Sequence, residues 1–162
     1  MKKALLVVAL VSTASYATYT WTRSAPEPAK ADKITALDRI WVDHLPKTES
    51  DTINIFAAIT EDPMGIFQAT SVWKGQYEMF VYEAHGDTIR ATYPHDRSRE
   101  ELKVNARSCN EVRDMDYCLE IKGASRGVKK YYSRKGWEID AASSPDEVAL
   151  RGKAIVKQLA AE

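Results

Sequence analysis

The chain has 162 residues with 23 basic and 23 acidic side chains, a formal net charge of +0, which excludes the cationic excess that general nucleic-acid binders use against phosphates. Charged residues at 28% and hydrophobic ones at 44% are the balance of a folded protein, not a disordered one. Once a leader is set aside, the length allows one core and no second domain.

Met1, Lys2 and Lys3 precede an apolar run from Ala4 to Val11 that fades through Ser12, Thr13, Ala14, Ser15, Tyr16 and Ala17. A positive start, a short apolar stretch and small residues form the pattern of a secretory signal, with Ser15 and Ala17 at the small positions before a cleavage site. The same residues also read as an uncleaved anchor. Positions 4 to 21 are uncharged and carry Tyr16, Tyr19 and Trp21, with Arg23 behind them, a marginal length for ~30 Å of hydrocarbon with aromatics at its boundary. Residues 1–23 are therefore expected to be a signal peptide or an N-terminal membrane anchor. Either places the remainder in the periplasm or on the periplasmic face of the inner membrane, because Lys2 and Lys3 stay inside. No cysteine lies near this leader to accept a lipid. Residues 24–34, with Pro26, Pro28 and several alanines but no apolar periodicity, read as a semi-extended linker.

From residue 35 to 162 short apolar or alternating segments arrive at regular intervals between clusters of turn residues, the rhythm of an all-β barrel or sandwich. Strands are expected over Leu37 to Val42, Thr52 to Thr60, Gly65 to Trp73, Gln76 to Ala84, Thr88 to Tyr93, Glu100 to Cys109, Tyr117 to Lys122 and Val128 to Arg134. Most links between them are two to five residues long, so neighbours in sequence should pair antiparallel, and an up-and-down barrel leaves no exposed edge. Ile53, Ile55, Ala57 and Ile59 share a face, and Leu102, Val104 and Ala106 alternate with Lys103, Asn105 and Arg107. Tyr77, Met79 and Val81 alternate with Phe80 and Tyr82, which leaves apolar groups on both faces and places the outer one under a helix.

Cys109 and Cys118 are the only cysteines. In an exported chain such a pair predicts a disulfide, and their shared polar face on one hairpin suits it. The closing segment predicts a helix: Ser143 or Ser144 caps it, Pro145 suits its first turn, Asp146 and Glu147 favour its N-terminal dipole, and Val148, Gly152, Ile155 and Leu159 share one face.

Chemistry is thinner. His44, His85 and His95 stand near Asp43, Asp87 and Asp96, but a general base needs a convergent third group, and no nucleophile elbow, HExxH, phosphate loop or dinucleotide fingerprint is present. No catalytic residue, metal or cofactor is expected. From Ile121 to Trp137 the chain carries Lys122, Arg126, Lys129, Lys130, Arg134 and Lys135 with no acidic residue. Lys129, Lys130 and Arg134 thus form a possible anion-binding surface beside a membrane, or a solvated strand whose lysines discourage edge pairing. Phe56, Phe67, Tyr77, Phe80, Tyr82 and Tyr93 are candidates to line a small-ligand cavity or simply to fill a core.

Eight meander strands, Asp38-Arg39-Ile40-Trp41-Val42 on the first, Gly123-Ala124-Ser125-Arg126-Gly127 near the last and a C-terminal helix resemble a lipocalin-like barrel over about residues 35 to 160. The resemblance implies that Trp41 and Arg126 form a structural pair closing one end, and that a small hydrophobic ligand binds inside. Arg39 stands where the family carries Gly, so the likeness is architectural. The expected function is an exported, non-enzymatic barrel that binds a small apolar or amphipathic ligand or serves as an envelope accessory domain. The alternative is a membrane-tethered module that docks on an envelope protein or the membrane surface through its basic segment. A hydrolase or isomerase with a His–Asp site is the third reading.

Overall fold

Alternating strands joined by tight turns can bury one face each by curling into a closed sheet, and that is the architecture observed. The computed structural model describes residues 34–162; the leader expected over 1–23 and the linker apart from Ile34 lie outside the described residues. The strands are β1 (Trp41–Val42), β2 (Ile53–Ile59), β3 (Met64–Thr70), β4 (Gly75–His85), β5 (Thr88–Thr92), β6 (Arg99–Ser108), β7 (Tyr117–Lys122) and β8 (Lys130–Ser133), followed by helix α1 (Pro145–Leu159). Each strand pairs antiparallel with its sequence neighbour, and β8 returns to β1 through Val42 and Tyr132, closing the barrel. Consecutive loops must then alternate between its two ends. The β1–β2, β3–β4, β5–β6 and β7–β8 loops gather at one end, the mouth; the incoming segment 34–40 and the remaining turns lie at the other, the base.

The first strand is shorter than its apolar pattern predicts. Asp38 sits at φ +56°, a left-handed conformation that interrupts a strand, and its carboxylate accepts hydrogen bonds from Thr60 N at 2.9 Å and Thr60 Oγ1 at 2.8 Å. Arg39 makes only an isolated bridge to Glu138. At the other end of β3, pairing stops at Thr70 and Trp73 belongs to the turn instead of the strand.

Two cores lie on opposite sides of one wall. Inside the barrel, Trp41, Phe56, Phe80, Leu102, Leu119, Tyr93 and Tyr131 are fully buried, each large side chain stabilising the fold by roughly 1.5–3 kcal/mol relative to exposure. The β3 backbone carries Gly65 beneath the Phe80 ring, where an added Cβ would come within 2.2 Å of Phe80 Cζ. Outside, Ile53, Ile55, Ala57, Ile59 and Ile66 pack against Val148, Ala149, Ile155, Val156 and Leu159 of α1. The helix therefore covers β2 and β3, whereas the apolar outer residues of β4 had pointed to a cover over that strand. The reason is that β2 is apolar on both faces, so its outer row needs the larger cover; α1 reaches β4 only at its edge, where Tyr77 Oη donates to Asp146, and Val81 stays exposed. Gly152 permits the close approach: a Cβ there would meet Ile55 Cδ1 at 2.8 Å.

Local chemistry fixes the helix start. Ser144 is the cap, with Ser144 Oγ accepting from Glu147 N and the Glu147 carboxylate accepting from Ser144 N at 2.7 Å, a reciprocal capping box. The β6–β7 hairpin is clipped by a Cys109–Cys118 disulfide with Cα atoms 5.6 Å apart, as the sequence predicts.

Candidate functional site at the barrel mouth

Alternation along β3, β4 and β6 decides what the lumen holds. Phe67 on β3, Phe80 and Tyr82 on β4 and Phe56 on β2 point inward, joined by Tyr93 and Tyr131. Neighbouring rings among them stand 5.2 to 6.2 Å apart, the spacing of aromatics in direct contact. Of the six residues proposed to line a cavity, Phe56, Phe67, Phe80, Tyr82 and Tyr93 meet in this cluster. Tyr77 does not: it lies on the outer face of β4, 41% exposed. Tyr82 Oη donates to Ile59 O at 2.8 Å, and burial, helped by the nearby Asp38 charge, pushes its pKa up to about 12. Burial likewise raises Tyr93 and Tyr131 above the ordinary phenol value.

The same inward rows end at the mouth in carboxylates, Glu78 below Phe80 on β4 and Glu100 below Leu102 on β6. Arg126 comes down on them from the β7–β8 loop. Its guanidinium lies 3.6 Å from the Tyr93 ring centroid. Its nitrogens reach Glu78 Oε2 at 2.8 Å, Asp96 Oδ2 at 2.7 Å and Glu100 Oε1 at 2.9 Å. Ser125 and Ser98 extend the lattice, Ser125 Oγ donating to Glu100 and Ser98 N to Asp96 Oδ1 at 2.8 Å. Hydrogen bonds from Ser98 hold Asp96 down to a pKa of about 2, with His95 and Arg126 adding to the effect. Burial alone would raise Glu100, but the Ser125 bonds, Tyr93 and Arg126 outweigh it and keep it below the ordinary carboxylate range. Burial also opposes the Arg126 charge, and Glu78 more than offsets it.

Arg126 and Trp41 therefore do not form the closing pair that the resemblance implies. Trp41 donates from Nε1 to Ala36 O at 2.9 Å, tying the incoming segment across the base, while the β7–β8 loop places Arg126 at the mouth. The buried guanidinium at the base belongs to Arg39, 4.4 Å from the Tyr117 ring centroid and bonded to Arg134 O at 2.7 Å and to Glu138.

Half of the basic segment is neutralised through space, by Arg126, Lys130 and Arg134 finding acidic partners. Lys130 pairs with Glu111, which also holds Arg107 at 2.6 Å. Arg134 pairs with Glu162 at 3.1 Å and lies over Trp137. Lys129 stays exposed on the same run. The histidines are surface groups: His44, 2.8 Å from Asp43; His85, 3.8 Å from Glu83; and His95, between Glu78 and Asp96. All three side chains are about half exposed or more.

Glu78, His95 and Asp96 offer ligand atoms within 4.8 Å of one another, the residue types of a divalent-cation site. Arg126 already spends its charge on both carboxylates, so a cation there would face a guanidinium at contact distance. Sequence reasoning missed this lattice because its members come from two strands, β4 and β6, and two separate loops, β5–β6 and β7–β8. It also missed Trp73, expected at the end of the third strand but 69% exposed at the tip of the β3–β4 turn. The chain matches no family model, no curated protein and no solved structure.

Proposed function

We propose that the chain is an exported, non-enzymatic accessory domain of the cell envelope, in which the barrel is a filled scaffold and binding is done by its outer surface. The observation that carries this is the lumen itself. Six aromatic rings in mutual contact occupy it, and a guanidinium held by three carboxylates spans its mouth. A small apolar or amphipathic ligand inside would have to displace rings packed at interior density and break that lattice as well. The leader pattern supports export, and the Cys109–Cys118 disulfide suits an oxidising compartment. The larger open grooves, of about 620 and 600 Å³, lie on the outer faces of β4–β6 and beside the β3–β4 turn. Docking through the basic segment has less support, since Lys130 and Arg134 already have acidic partners.

Native mass spectrometry of the purified full chain tests the reading by comparing native with denatured mass. Equal masses are expected; a stoichiometric adduct released on denaturation would restore the internal-ligand function.

A further inference from the structure

The groove beside the β3–β4 turn has an unusual combination of a rigid backbone and an exposed indole. Ser71 N donates to Lys74 O at 2.7 Å, Thr70 Oγ1 to Lys74 O at 3.0 Å, and Ser71 Oγ accepts from both Trp73 N at 3.3 Å and Lys74 N at 3.2 Å. Val72 N is tied to Glu49 O of the neighbouring loop at 3.2 Å. The turn is thus held from inside and from the side, while Trp73 at its tip is 69% exposed and contributes little to the core. A large indole left in water on a fixed turn is the informative case for surface apolar groups.

What surrounds it narrows the ligand. The groove, about 600 Å³ and open to solvent, is lined beside Trp73 by Ser50, Thr52, Gln76, Lys74 and the bare backbone of Gly75. Ser50, Thr52 and Gln76 are exposed neutral hydrogen-bonding groups. No carboxylate lines it, and a single lysine is too little to define an anion site. A second groove of about 300 Å³ shares Ala69 and Gln76 with the first and leads past Asn54 and Tyr77 to Phe67, Glu78 and Arg126 at the barrel mouth. An extended peptide would need an unpaired strand edge to add to, and the closed barrel offers none. An apolar small molecule needs an enclosed pocket, and this one is open. A ligand with one apolar face, many hydroxyls and an elongated, half-solvated shape fits all three conditions.

From these features we infer that the Trp73 groove binds a neutral saccharide chain, one pyranose ring stacking its C–H face on the indole while Ser50, Thr52 and Gln76 bond to hydroxyls. This deepens the surface-binding reading and rests on it. Its test is independent of the mass measurement, because it reads the Trp73-dependent binding of added saccharide and not a mass retained by the purified chain.

The experiment is titration of the full chain with chitotetraose, cellotetraose and maltotetraose, followed by calorimetry, together with co-sedimentation on insoluble peptidoglycan. At least one should bind; Trp73→Ala should weaken it tenfold or more, Trp73→Tyr should keep most of it, and Gln76→Ala should weaken it several-fold. The thermal midpoint of Trp73→Ala should match wild type, so a loss of binding cannot be assigned to unfolding. Absence of binding by all four probes, or binding unaltered by Trp73→Ala, overturns the inference. A bound lumen adduct with intact Trp73-dependent binding would overturn only the filled-scaffold reading.

Discussion

Arg126 shows how one side chain can close a barrel end. Three carboxylates from β4, the β5–β6 loop and β6 meet one guanidinium, an arrangement that only a planar, multi-donor cation can satisfy. Arg126→Met would leave Glu78, Asp96 and Glu100 facing one another without a counter-charge. At pH 7 this should cost about 1–2 kcal/mol, less than a fully buried pair because the cluster is partly solvated. The pH dependence has a definite sign. Asp96 is held down to about 2 from an ordinary value of 3.8, so its contribution is complete above about 4 and disappears as pH falls toward 2. In the variant, protonation of Asp96 and Glu100 instead relieves repulsion among the carboxylates left without Arg126. The gap between wild type and Arg126→Met in urea midpoint should therefore narrow between pH 7 and pH 3, and a gap constant across that range would show that the lattice is not electrostatic. None of this was visible locally, since Arg126 lies 26 residues from Glu100 and 30 from Asp96 inside a run with no acidic residue. Pattern reading sees sequence neighbours; the neutralising partners arrive only when the barrel closes.

At the scale of elements, strand order, hairpin pairing, the disulfide and the helix cap were all readable because each depends on short-range pattern or chemistry. Alternation along β6 and β7 set the inward rows, and Ser143 or Ser144 ahead of Pro145 located the helix start, where the structure uses Ser144. The Tyr77, Met79 and Val81 row also signalled correctly that β4 is apolar outside. What it did not reveal was which strand the helix would choose, because that depends on competition between two apolar faces, and the isoleucine row of β2 wins. The β6–β7 hairpin gives the cleanest test of an element's own contribution. Its loop is closed by Cys109 and Cys118 at a separation of 9, so the chain-entropy model assigns the bond roughly 2–3 kcal/mol, acting mainly on the unfolded state. The double variant Cys109→Ser, Cys118→Ser should lose that much in urea titration and still bind whatever the Trp73 groove binds, because the hairpin turns at the base and the groove lies at the mouth. Loss of groove binding in a folded double variant would show that the two ends are not independent.

For the whole molecule, the governing feature is that one wall serves two cores. The aromatic cluster on the inner face of β2 and the aliphatic cluster under α1 are separated only by the thickness of that strand: Phe56 and Ala58 belong to one, Ile55 and Ala57 to the other. Neither can be lost without uncovering the other, since a strand released from the barrel drops its outer row from the helix as well. Two tryptophans are placed to report on this. Trp41 is fully buried in the inner core, and Trp137 is 9% exposed in the outer one. Variants that keep only one of these, with the other three tryptophans replaced by Phe, should unfold in urea with fluorescence midpoints that each agree with the far-UV dichroism of the same protein. If Trp137 instead reports an earlier transition than the dichroism, α1 is a separable cover. The apolar outer face of β2 would then be open to a partner helix, and the barrel would act through its wall instead of its mouth.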